Sequence, residues 1–482
     1  MKSRSIGASL ALSLVLAACG GSDGGGSTAT AVAPTPAAAP TPTGNTCSLV
    51  DRQNWAFAQL NEWYLFPETL PTSLSPAPFT TVDAYIAALT ATARGQGRDR
   101  FFTYLTSIAT ENAFFGSGSS AGFGFRVAND ATTRRSFIME SFEGTAALAV
   151  GIDRGEEILA IGDTSTTLRN VTDIIAAEGT AGVTAAFGPS TAGVTRTLRV
   201  TGTAGTRTLT ISKTDYMLTP ISARYGAQVI IEGALRVGYI NLRTFISTAD
   251  PALRSAFEQF RAQGITNFII DFRYNGGGLV STAELMGDLL GGNRSTSDVY
   301  SLTAFRPSKS SQNSTRRFAP GSQSVSPVKV AFIGTGATAS ASELVINAFI
   351  PYLGTNMALI GTNTFGKPVG QIALDRAVCD DRLRVVAFTT RNAANSDAYF
   401  TGLASTVPVT CRATDDFTRP LGNAQEGSTR AALDFLQGRS CTAISSSGQV
   451  SQSARNRAAE PNLEMLTPLA PTPAQREVPG AF

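Results

Sequence analysis

The chain has 482 residues and contains no histidine. A catalytic triad of serine, histidine and aspartate is therefore excluded, because histidine is the base of that triad. Zinc also loses its usual nitrogen ligand, and the cysteines form no CxxC pair, so no metal site is predicted. A GK[ST] motif is absent as well, which excludes a P-loop, and no cofactor is expected. Any serine chemistry must use another base, for which lysine is the remaining candidate.

Charge of either sign is nearly balanced. The formal net charge is +3, and no run of lysine or arginine is longer than two residues. A nucleic-acid partner is not expected, because such proteins cluster basic residues on one face. Hydrophobic residues make up 43% of the chain and charged residues 16%, as in an ordinary globular core, and the length predicts two or three domains.

Residues 1–19 predict a secretory signal peptide with a basic start, an apolar stretch over 6–18 and the ending LAAC. The apolar stretch is too short for a permanent membrane-spanning helix. The ending resembles a bacterial lipobox, in which Cys19 would be lipidated; the alternative is an ordinary signal peptide with a chance cysteine. Residues 20–46 predict a disordered linker of Gly, Ser, Thr, Ala and Pro. We therefore expect a membrane-anchored lipoprotein of the cell envelope, and Gly20 favours the outer membrane, facing the periplasm.

Four further cysteines stand at 47, 379, 411 and 441. Export to an oxidising compartment permits disulfides, and four cysteines allow three pairings. Cys379 and Cys411 flank two strand-like segments and could staple a hairpin. Cys47 with Cys441 would then join the first residues of the fold to the last. Only geometry decides between the pairings.

The middle of the chain divides into regions of different pattern. Residues 47–115 predict an N-terminal helical region, and 116–215 predict strands separated by Gly- and Thr-rich turns. Residues 216–440 alternate short apolar strands with amphipathic helices, which predicts an α/β core with a mainly parallel sheet. Within it, 308–326 predict a polar surface excursion. Residues 441–482 are rich in Ser, Ala and Pro and predict a loose C-terminal tail.

The 116–215 region has a recognisable order of elements. Strands are predicted at SAGFGFRVA (120–128) and SFIMESF, followed by a short helix, a strand, a longer helix and a hairpin. This order resembles a PDZ domain, which captures polypeptide C-terminal tails by adding them as a strand beside a glycine-rich loop. The alternative is that GFGF is only a tight turn and a packed strand. The residues that would bind peptide are Gly122, Phe123, Gly124 and Phe125.

The stretch TASASELVINAF (338–349) predicts the start of an amphipathic helix after a buried strand. Ser340 and Glu343 have the spacing of a capping box, which would be a purely structural role. The same place suits a nucleophile, because a helix N-terminus favours negative charge. The amide of Ala341 could then help to hold an oxyanion.

A base for such a serine is offered by GTNTFGKPVGQ (361–371). Lys367 lies in a turn among apolar neighbours, and desolvation would let it lose its proton near neutral pH. Gln371 offers an uncharged amide that could orient the lysine without fixing it as an ammonium ion. The alternative is an ordinary surface lysine.

The third stretch is DFRYNGGG (271–278), in which a glycine-rich turn follows the end of a buried strand. Its glycines allow the backbone to approach a substrate carbonyl and to aim an N–H at it. Gly277 and Gly278 are both candidates for this donor, and the sequence does not choose between them.

Together these stretches resemble the C-terminal processing peptidases, also called tail-specific proteases. FIIDFRYNGGG, GTGATASASE and TFGKPVGQ are similar to three motifs of that family, and RDRFFTYLT (98–106) is similar to a fourth. The resemblance covers about residues 50–435. It implies an α/β fold with a crotonase-like core, a PDZ-like domain and an N-terminal helical segment, and polypeptides as substrates.

The resemblance also implies roles for the site residues. Ser340 would be the nucleophile, Lys367 the general base and Gln371 its orienting partner, with oxyanion donors from Ala341 and one of the two glycines. Three departures from the family pattern are Asn-Gly where Asn-Pro is frequent, Pro368 in place of the customary glycine, and a longer segment between serine and lysine. A surface loop at 351–355 is expected to absorb that extra length.

Two other functions are compatible with the sequence. A peptide-binding lipoprotein with a catalytically silent peptidase fold would bind polypeptide tails through the PDZ-like region alone. A structural lipoprotein would only tether partners at the membrane. The presence of serine, lysine and glutamine together favours the peptidase.

Overall fold

The computed structural model describes residues 47–445 and 463–482, so the predictions for the signal peptide, Cys19 and the linker lie outside the described residues. The helices are α1 (Leu49–Trp63), α2 (Val82–Leu89), α3 (Ala91–Gly95), α4 (Ile108–Ser117), α5 (Ala146–Ala149), α6 (Val171–Phe187), α7 (Ala249–Ala262), α8 (Val280–Leu290), α9 (Ala341–Leu353), α10 (Gly427–Leu436) and α11 (Pro473–Glu477). Across both described ranges, no helix is long and apolar enough to cross a membrane.

Short strands join these helices into several sheets. The strands are β1 (Tyr104–Ser107), β2 (Ser119–Gly122), β3 (Phe125–Asp130), β4 (Arg135–Ser141), β5 (Glu157–Gly162), β6 (Arg169–Asn170), β7 (Thr195–Gly202), β8 (Gly205–Ser212), β9 (Thr214–Met217), β10 (Ala227–Glu232), β11 (Leu235–Asn241), β12 (Asn267–Asp271), β13 (Val299–Phe305), β14 (Ser314–Arg317), β15 (Lys329–Gly334), β16 (Met357–Gly361), β17 (Val369–Arg376), β18 (Asp381–Arg391), β19 (Thr410–Arg412) and β20 (Leu463–Met465).

The central sheet has six strands in the order β10-β11-β12-β15-β16-β19. All neighbours are parallel except β10, which runs antiparallel to β11, so the predicted mainly parallel sheet is present. Side chains alternate between its faces, as strand geometry requires. Phe268 and Ile270 of β12 join the core cluster that includes α7, α8 and α9. Ile269 joins the cluster on the opposite face, beneath α10.

A second sheet carries the N-terminal region. β18 pairs with β1, β13 and β17, and β13 also pairs with β14. Leu60 of α1 and Tyr85 of α2 pack with Leu383 and Val385 of β18 in one buried cluster. The expectation of a polar excursion at 308–326 is incomplete, because β14 inside it pairs with β13. Its polar composition is that of an exposed edge strand.

Residues 116–215, called the module below, supply all but one strand of a sheet ordered β20-β3-β4-β5-β7-β8, with β6 beside β5, and β20 comes from the C-terminal tail. Helix α6 covers this sheet and bends at Gly179. The single strand predicted at 120–128 is divided, because β2 pairs with β9 and β3 pairs with β4. The break falls at Gly124, whose φ of 86° suits glycine and whose missing Cβ leaves room for Thr145.

The C-terminal tail is not loose where the structure describes it. β20 pairs antiparallel with β3, and Val478, Ala481 and Phe482 are almost fully buried. The Ser- and Pro-rich composition of the whole tail concealed a few apolar residues that cover an open strand edge. Such an edge offers unpaired main-chain groups that another strand can satisfy.

Disulfides join Cys47 to Cys379 and Cys411 to Cys441. The suggested hairpin staple between Cys379 and Cys411 is therefore wrong, as is the pairing of Cys47 with Cys441. The reason is topological, because Cys379 follows β17 of the second sheet whereas Cys411 lies in β19 of the central sheet.

Candidate active site

Ser340 lies in the turn between β15 and α9, immediately before the first helical residue. Its φ of 55° and ψ of −114° are unusual for a residue with a side chain, and such strain is concentrated at functional sites. Ala341 begins the helix, so its N–H lacks an intrahelical acceptor. Gly277 faces this turn closely, since a Cβ added to it would lie 2.8 Å from Ser340 Cβ.

Glu343 connects the serine turn to the lysine loop. Its buried carboxylate accepts the N–H of Ser340 at 3.0 Å, which is the glutamate half of the predicted capping box. It also accepts a hydrogen bond from the Thr364 hydroxyl at 2.6 Å and hydrogen bonds from the N–H groups of Gly366 and Lys367, each at 2.7 Å. Burial raises the pKa of this carboxyl, while the four donors act against that rise. Sequence spacing suggested only a local cap.

Lys367 lies between β16 and β17 with its side-chain nitrogen against Gln371. Lys367 Nζ donates to Gln371 Oε1 at 3.0 Å, and Gln371 Nε2 donates to the carbonyl of Phe102, which fixes the amide orientation. Burial lowers the pKa of Lys367, while the charges of Glu477 and Asp99 act in the opposite direction. The phenyl ring of Phe102 lies 4.9 Å from the lysine nitrogen.

The segment RDRFFTYLT supports this lysine from the N-terminal region. Arg100 donates to the carbonyl oxygens of Phe365 and Gly366, at 2.6 Å each, and its guanidinium lies 4.0 Å from the ring centroid of Phe365. Asp99 caps the following turn by accepting the N–H of Phe102 at 2.7 Å. The motif therefore holds the backbone on which Lys367 is mounted, a contact that no local pattern indicates.

Asn275 fastens the glycine-rich turn to the serine turn. Its Oδ1 accepts the N–H of Gly277 at 2.9 Å, and its backbone carbonyl accepts the Ala339 N–H at 3.0 Å and the Ser342 hydroxyl at 3.2 Å. The Gly277 N–H is thus already engaged by a side chain.

The glycines on either side of Gly277 have different surroundings. Gly278, with a φ of 132°, packs against the backbone of Phe245. Gly276 donates its N–H to the carbonyl of Glu477 in the tail, at 2.9 Å. Gly276 was not singled out from the sequence, because its partner lies about two hundred residues away.

Beside these groups lies a cleft of about 1140 Å³, which is lined by Lys367 and by Ala339, the residue before Ser340. Phe102, Phe365 and Lys367 line one part of it, and Gly276 and Glu477 line another. Helix α9 continues through Pro351 to Leu353, so the surface loop expected at 351–355 is mostly helical. The length between Ser340 and Lys367 is taken up by this helix and a short 3₁₀ turn at Gly354–Asn356. In the parts of the chain that the structure describes, no cluster of acidic and cysteine side chains could hold a metal ion.

The GFGF loop lies at the start of β3, apart from the serine turn. The N–H groups of Gly124 and Phe125 both point to the carbonyl oxygen of Phe482, at 2.9 and 3.4 Å. Gly122 lies against the same group, because a Cβ added there would be 2.6 Å from Phe482 C. Phe123 is fully buried in the module core.

Comparison with known proteins identifies a matching family model and several similar proteins. Residues 236–404 match the model of peptidase family S41. Carboxyl-terminal-processing peptidase 3, chloroplastic, of Arabidopsis thaliana is 27% identical over 293 residues, which are 60% of this chain and 54% of that protein. The carboxyl-terminal-processing protease of Synechocystis is 24% identical over 251 residues, 52% of this chain and 54% of that protein. The chain thus spans about half the length of these curated relatives.

Among solved structures, a Bacteroides fragilis protein assigned to the S41 proteases superimposes with a TM-score of 0.60. The superposition covers 80% of this chain and 97% of that one, at 22% identity. At this identity the match demonstrates a shared mixed α/β fold.

Proposed function

We propose, on the premise that residues 236–404 match the model of peptidase family S41, that this chain is a serine endopeptidase of the C-terminal processing type. The observation that carries the proposal is the Glu343 carboxylate, which binds the backbone of Ser340 and of Lys367 at once. It holds the serine turn and the lysine loop in one frame, with Gln371 fixing the lysine.

In the proposed reaction, neutral Lys367 accepts the Ser340 hydroxyl proton as the serine oxygen attacks a peptide carbonyl. The tetrahedral intermediate collapses to an acyl enzyme as the lysine ammonium protonates the leaving amine. A water molecule that gives its proton to the same lysine then attacks the ester, and the lysine ammonium returns that proton to the Ser340 oxygen as the carboxylic acid product leaves. Burial that lowers the pKa of Lys367 makes its neutral form accessible.

The oxyanion donors are proposed to be the N–H groups of Ala341 and Gly278. Ala341 is the first residue of α9, and its N–H is therefore not used within the helix. Gly278 is preferred to Gly277, because the Gly277 N–H is held by Asn275. Two such donors stabilise the negative charge that develops on the carbonyl oxygen.

We further propose that the core is crotonase-like and that the 116–215 module is PDZ-like and binds polypeptide chain ends. Support comes from strand β3, whose outer edge pairs with the C-terminal tail, and from the loop before it, whose N–H groups point to a carbonyl oxygen of that tail. Residues 122–125 would receive the end of a substrate, and the cleft beside Lys367 would receive its scissile bond.

Membrane anchoring through lipidated Cys19, at the outer membrane facing the periplasm, remains our proposal for the location. It is supported by the LAAC ending and the glycine-rich stretch that follows. Incorporation of labelled lipid into the parent and its loss in Cys19→Ala would agree with it, whereas equal label in both would contradict it.

The peptidase proposal is tested with an unfolded model protein as substrate. We expect the parent to degrade it and Ser340→Ala to lose activity by roughly 10³-fold or more. Ser255→Ala is the matched control, because it removes an exposed hydroxyl on α7 and should keep full activity. A small serine-reactive probe should label the parent and Ser255→Ala but not Ser340→Ala.

The alternative is a peptide-binding lipoprotein with a silent peptidase fold. It is favoured by the close fit of a peptide segment against Gly124 and Phe125. Binding of a peptide without cleavage, and without labelling of Ser340, would support this alternative and contradict the peptidase.

A further inference from the structure

The last residues of the sequence extend the module sheet as an additional strand. Val127 donates its N–H to Gly480 at 2.9 Å, Phe482 donates to Phe125 at 3.0 Å, and Gly124 donates to Phe482 at 2.9 Å. The pairing is antiparallel, with Arg126 opposite Ala481. β20 pairs with the remainder of β3, from Ala128 to Asp130. The tail segment, residues 463–482, therefore occupies the whole edge of β3.

An aromatic side chain anchors this strand. Phe482 is only 2% exposed and belongs to the buried cluster of the module. Its ring centroid lies 4.9 Å from that of Phe187, and Phe123 and Phe125 pack in the same cluster. A buried aromatic ring of this kind supplies most of the energy of a small interface.

Between its two paired parts, the tail segment crosses the cleft. Gly276 binds the carbonyl of Glu477, and the Arg476 guanidinium lies 3.5 Å from the ring centroid of Tyr104. The Glu477 side chain is buried on the same cleft as Lys367. The tail thus covers both the edge of β3 and the approach to the lysine.

The part of the tail that lies in the cleft is helical. α11 begins with a capping box between Thr472 and Gln475, and Val478 donates to the carbonyl of Ala474 at 2.8 Å. Proteases bind their substrates as extended strands, and a hydrogen-bonded turn does not present its peptide bond in that form. The tail therefore occupies the cleft in the manner of an inhibitor.

We propose that residues 472–482 are an intramolecular ligand that closes the site, and that the groove selects polypeptide ends carrying an aromatic residue like Phe482. A substrate must displace this tail before it can pair with β3 and reach Lys367. The part of this proposal that concerns catalysis rests on the peptidase function proposed above, whereas tail binding does not.

Covalent attachment makes the tail a strong competitor. A tethered segment acts at an effective concentration of the order of millimolar. The apparent affinity for an external peptide is lowered by the fraction of molecules whose groove is open. A substitution that weakens the Phe482 anchor should therefore tighten the binding of an added peptide, because the groove along the edge of β3 is itself unchanged.

The test is binding of a fluorescent peptide, TPAQREVPGAF, to full-length protein carrying Ser340→Ala, which prevents cleavage. We expect Phe482→Asp to bind it at least about 10-fold more tightly than the unaltered tail, because an open groove removes the competition. Phe482→Ser, which removes the ring without adding charge, should act in the same direction. The same peptide ending in Asp should bind at least about 10-fold more weakly, since it lacks the anchor.

Leu469→Asp is the matched control, because Leu469 belongs to the same tail but is 96% exposed. It should bind the peptide like the unaltered protein. Equal affinity of all four proteins, or no binding by either Phe482 variant with an unchanged thermal midpoint, would overturn the proposal.

Activity distinguishes this inference from the function on which it partly rests. With Ser340 intact, Phe482→Asp should cleave a short unfolded substrate several-fold faster than the parent. Tail-dependent binding without cleavage by any variant would keep the intramolecular ligand and contradict the peptidase. If Phe482→Asp changed neither the rate of cleavage nor the peptide affinity, the peptidase function would stand and the intramolecular ligand would be contradicted.

Discussion

At the scale of single residues, the proposed chemistry depends on the protonation state of Lys367. Burial lowers the pKa of its side chain, and Gln371 meets it with a neutral oxygen. Glu477 and Asp99 raise the same pKa from a greater distance. The choice of glutamine therefore matters, because an acid in direct contact would stabilise the ammonium form that cannot accept a proton.

Gln371→Glu should move the rise of activity toward higher pH. In the parent, kcat/KM should increase as pH rises through the lowered pKa of Lys367, because only the neutral amine is a base. A carboxylate in hydrogen-bond contact should raise that pKa, because its negative charge stabilises the ammonium form of the lysine. The measurement is the pH dependence of kcat/KM for both proteins.

The control is Gln259→Glu, an exposed change on α7 that should leave the profile in place. The stability of the folded protein should depend on pH in the same direction as its activity. Between the lowered pKa and that of free lysine, the unfolded chain binds more protons at this group, so the contribution of Lys367 to stability rises with pH. A profile that is unchanged by Gln371→Glu would contradict the assignment of Lys367 as the base.

Single residues were also the part of the site most accessible to sequence reasoning. Ser340, Lys367 and Gln371 stand in short motifs whose spacing is local, and Gln371 does contact Lys367. The choice between Gly277 and Gly278 could not be made, because it depends on where Asn275 directs its amide oxygen. A hydrogen bond of that kind has no signature in sequence.

At the scale of elements, the site is a junction between α9 and the loop before β17. Glu343, in the first turn of α9, accepts three hydrogen bonds from residues 364–367 in addition to the one from Ser340. Arg100 holds the other side of that loop. The sequence indicated each element, but the partners are 21 or more residues apart, and the junction follows only from the folded arrangement.

Glu343→Gln should separate these two elements. An amide has one accepting oxygen in place of two and adds an N–H₂ that would face donors, so two or more of the four bonds are lost or opposed. We expect kcat to fall by about 10–100-fold and stability to fall by about 3 kcal/mol. Steady-state kinetics and thermal unfolding measure the two effects.

The matched substitution is Glu258→Gln, on the exposed face of α7, which should change neither quantity. Unaltered activity of Glu343→Gln would mean that the serine turn and the lysine loop are held by other contacts. Loss of stability with full activity would limit Glu343 to a structural cap.

At the scale of the whole molecule, the described residues pack together in one compact unit. β1, which follows the N-terminal helices, pairs with β18 of the core, and the tail completes the sheet of the 116–215 module. Boundaries predicted from composition could not reveal this, since strand pairing joins residues hundreds apart in sequence. Composition also hid the tail's role, which depends on an edge strand elsewhere.

A buried group of charges joins the module to the core. Glu140 of β4 binds Arg126 of β3 at 3.0 Å and Arg243 of the core at 2.7 Å. Arg126 in turn donates to the carbonyl of Tyr274, next to Asn275 in the glycine-rich turn. β3 thus contacts the tail through its edge and the glycine-rich turn through the side chain of Arg126.

Glu140→Ala should therefore loosen the module from the core. It leaves two buried guanidinium groups without their shared carboxylate, and removing one partner of a buried ion pair costs about 3–5 kcal/mol. We expect calorimetry to show a separate, earlier unfolding transition for the module. Glu157→Ala is the control, because its partner Arg135 is half exposed and such pairs contribute less than about 1 kcal/mol. If both variants unfolded like the parent, the module would be held to the core by its apolar contacts alone.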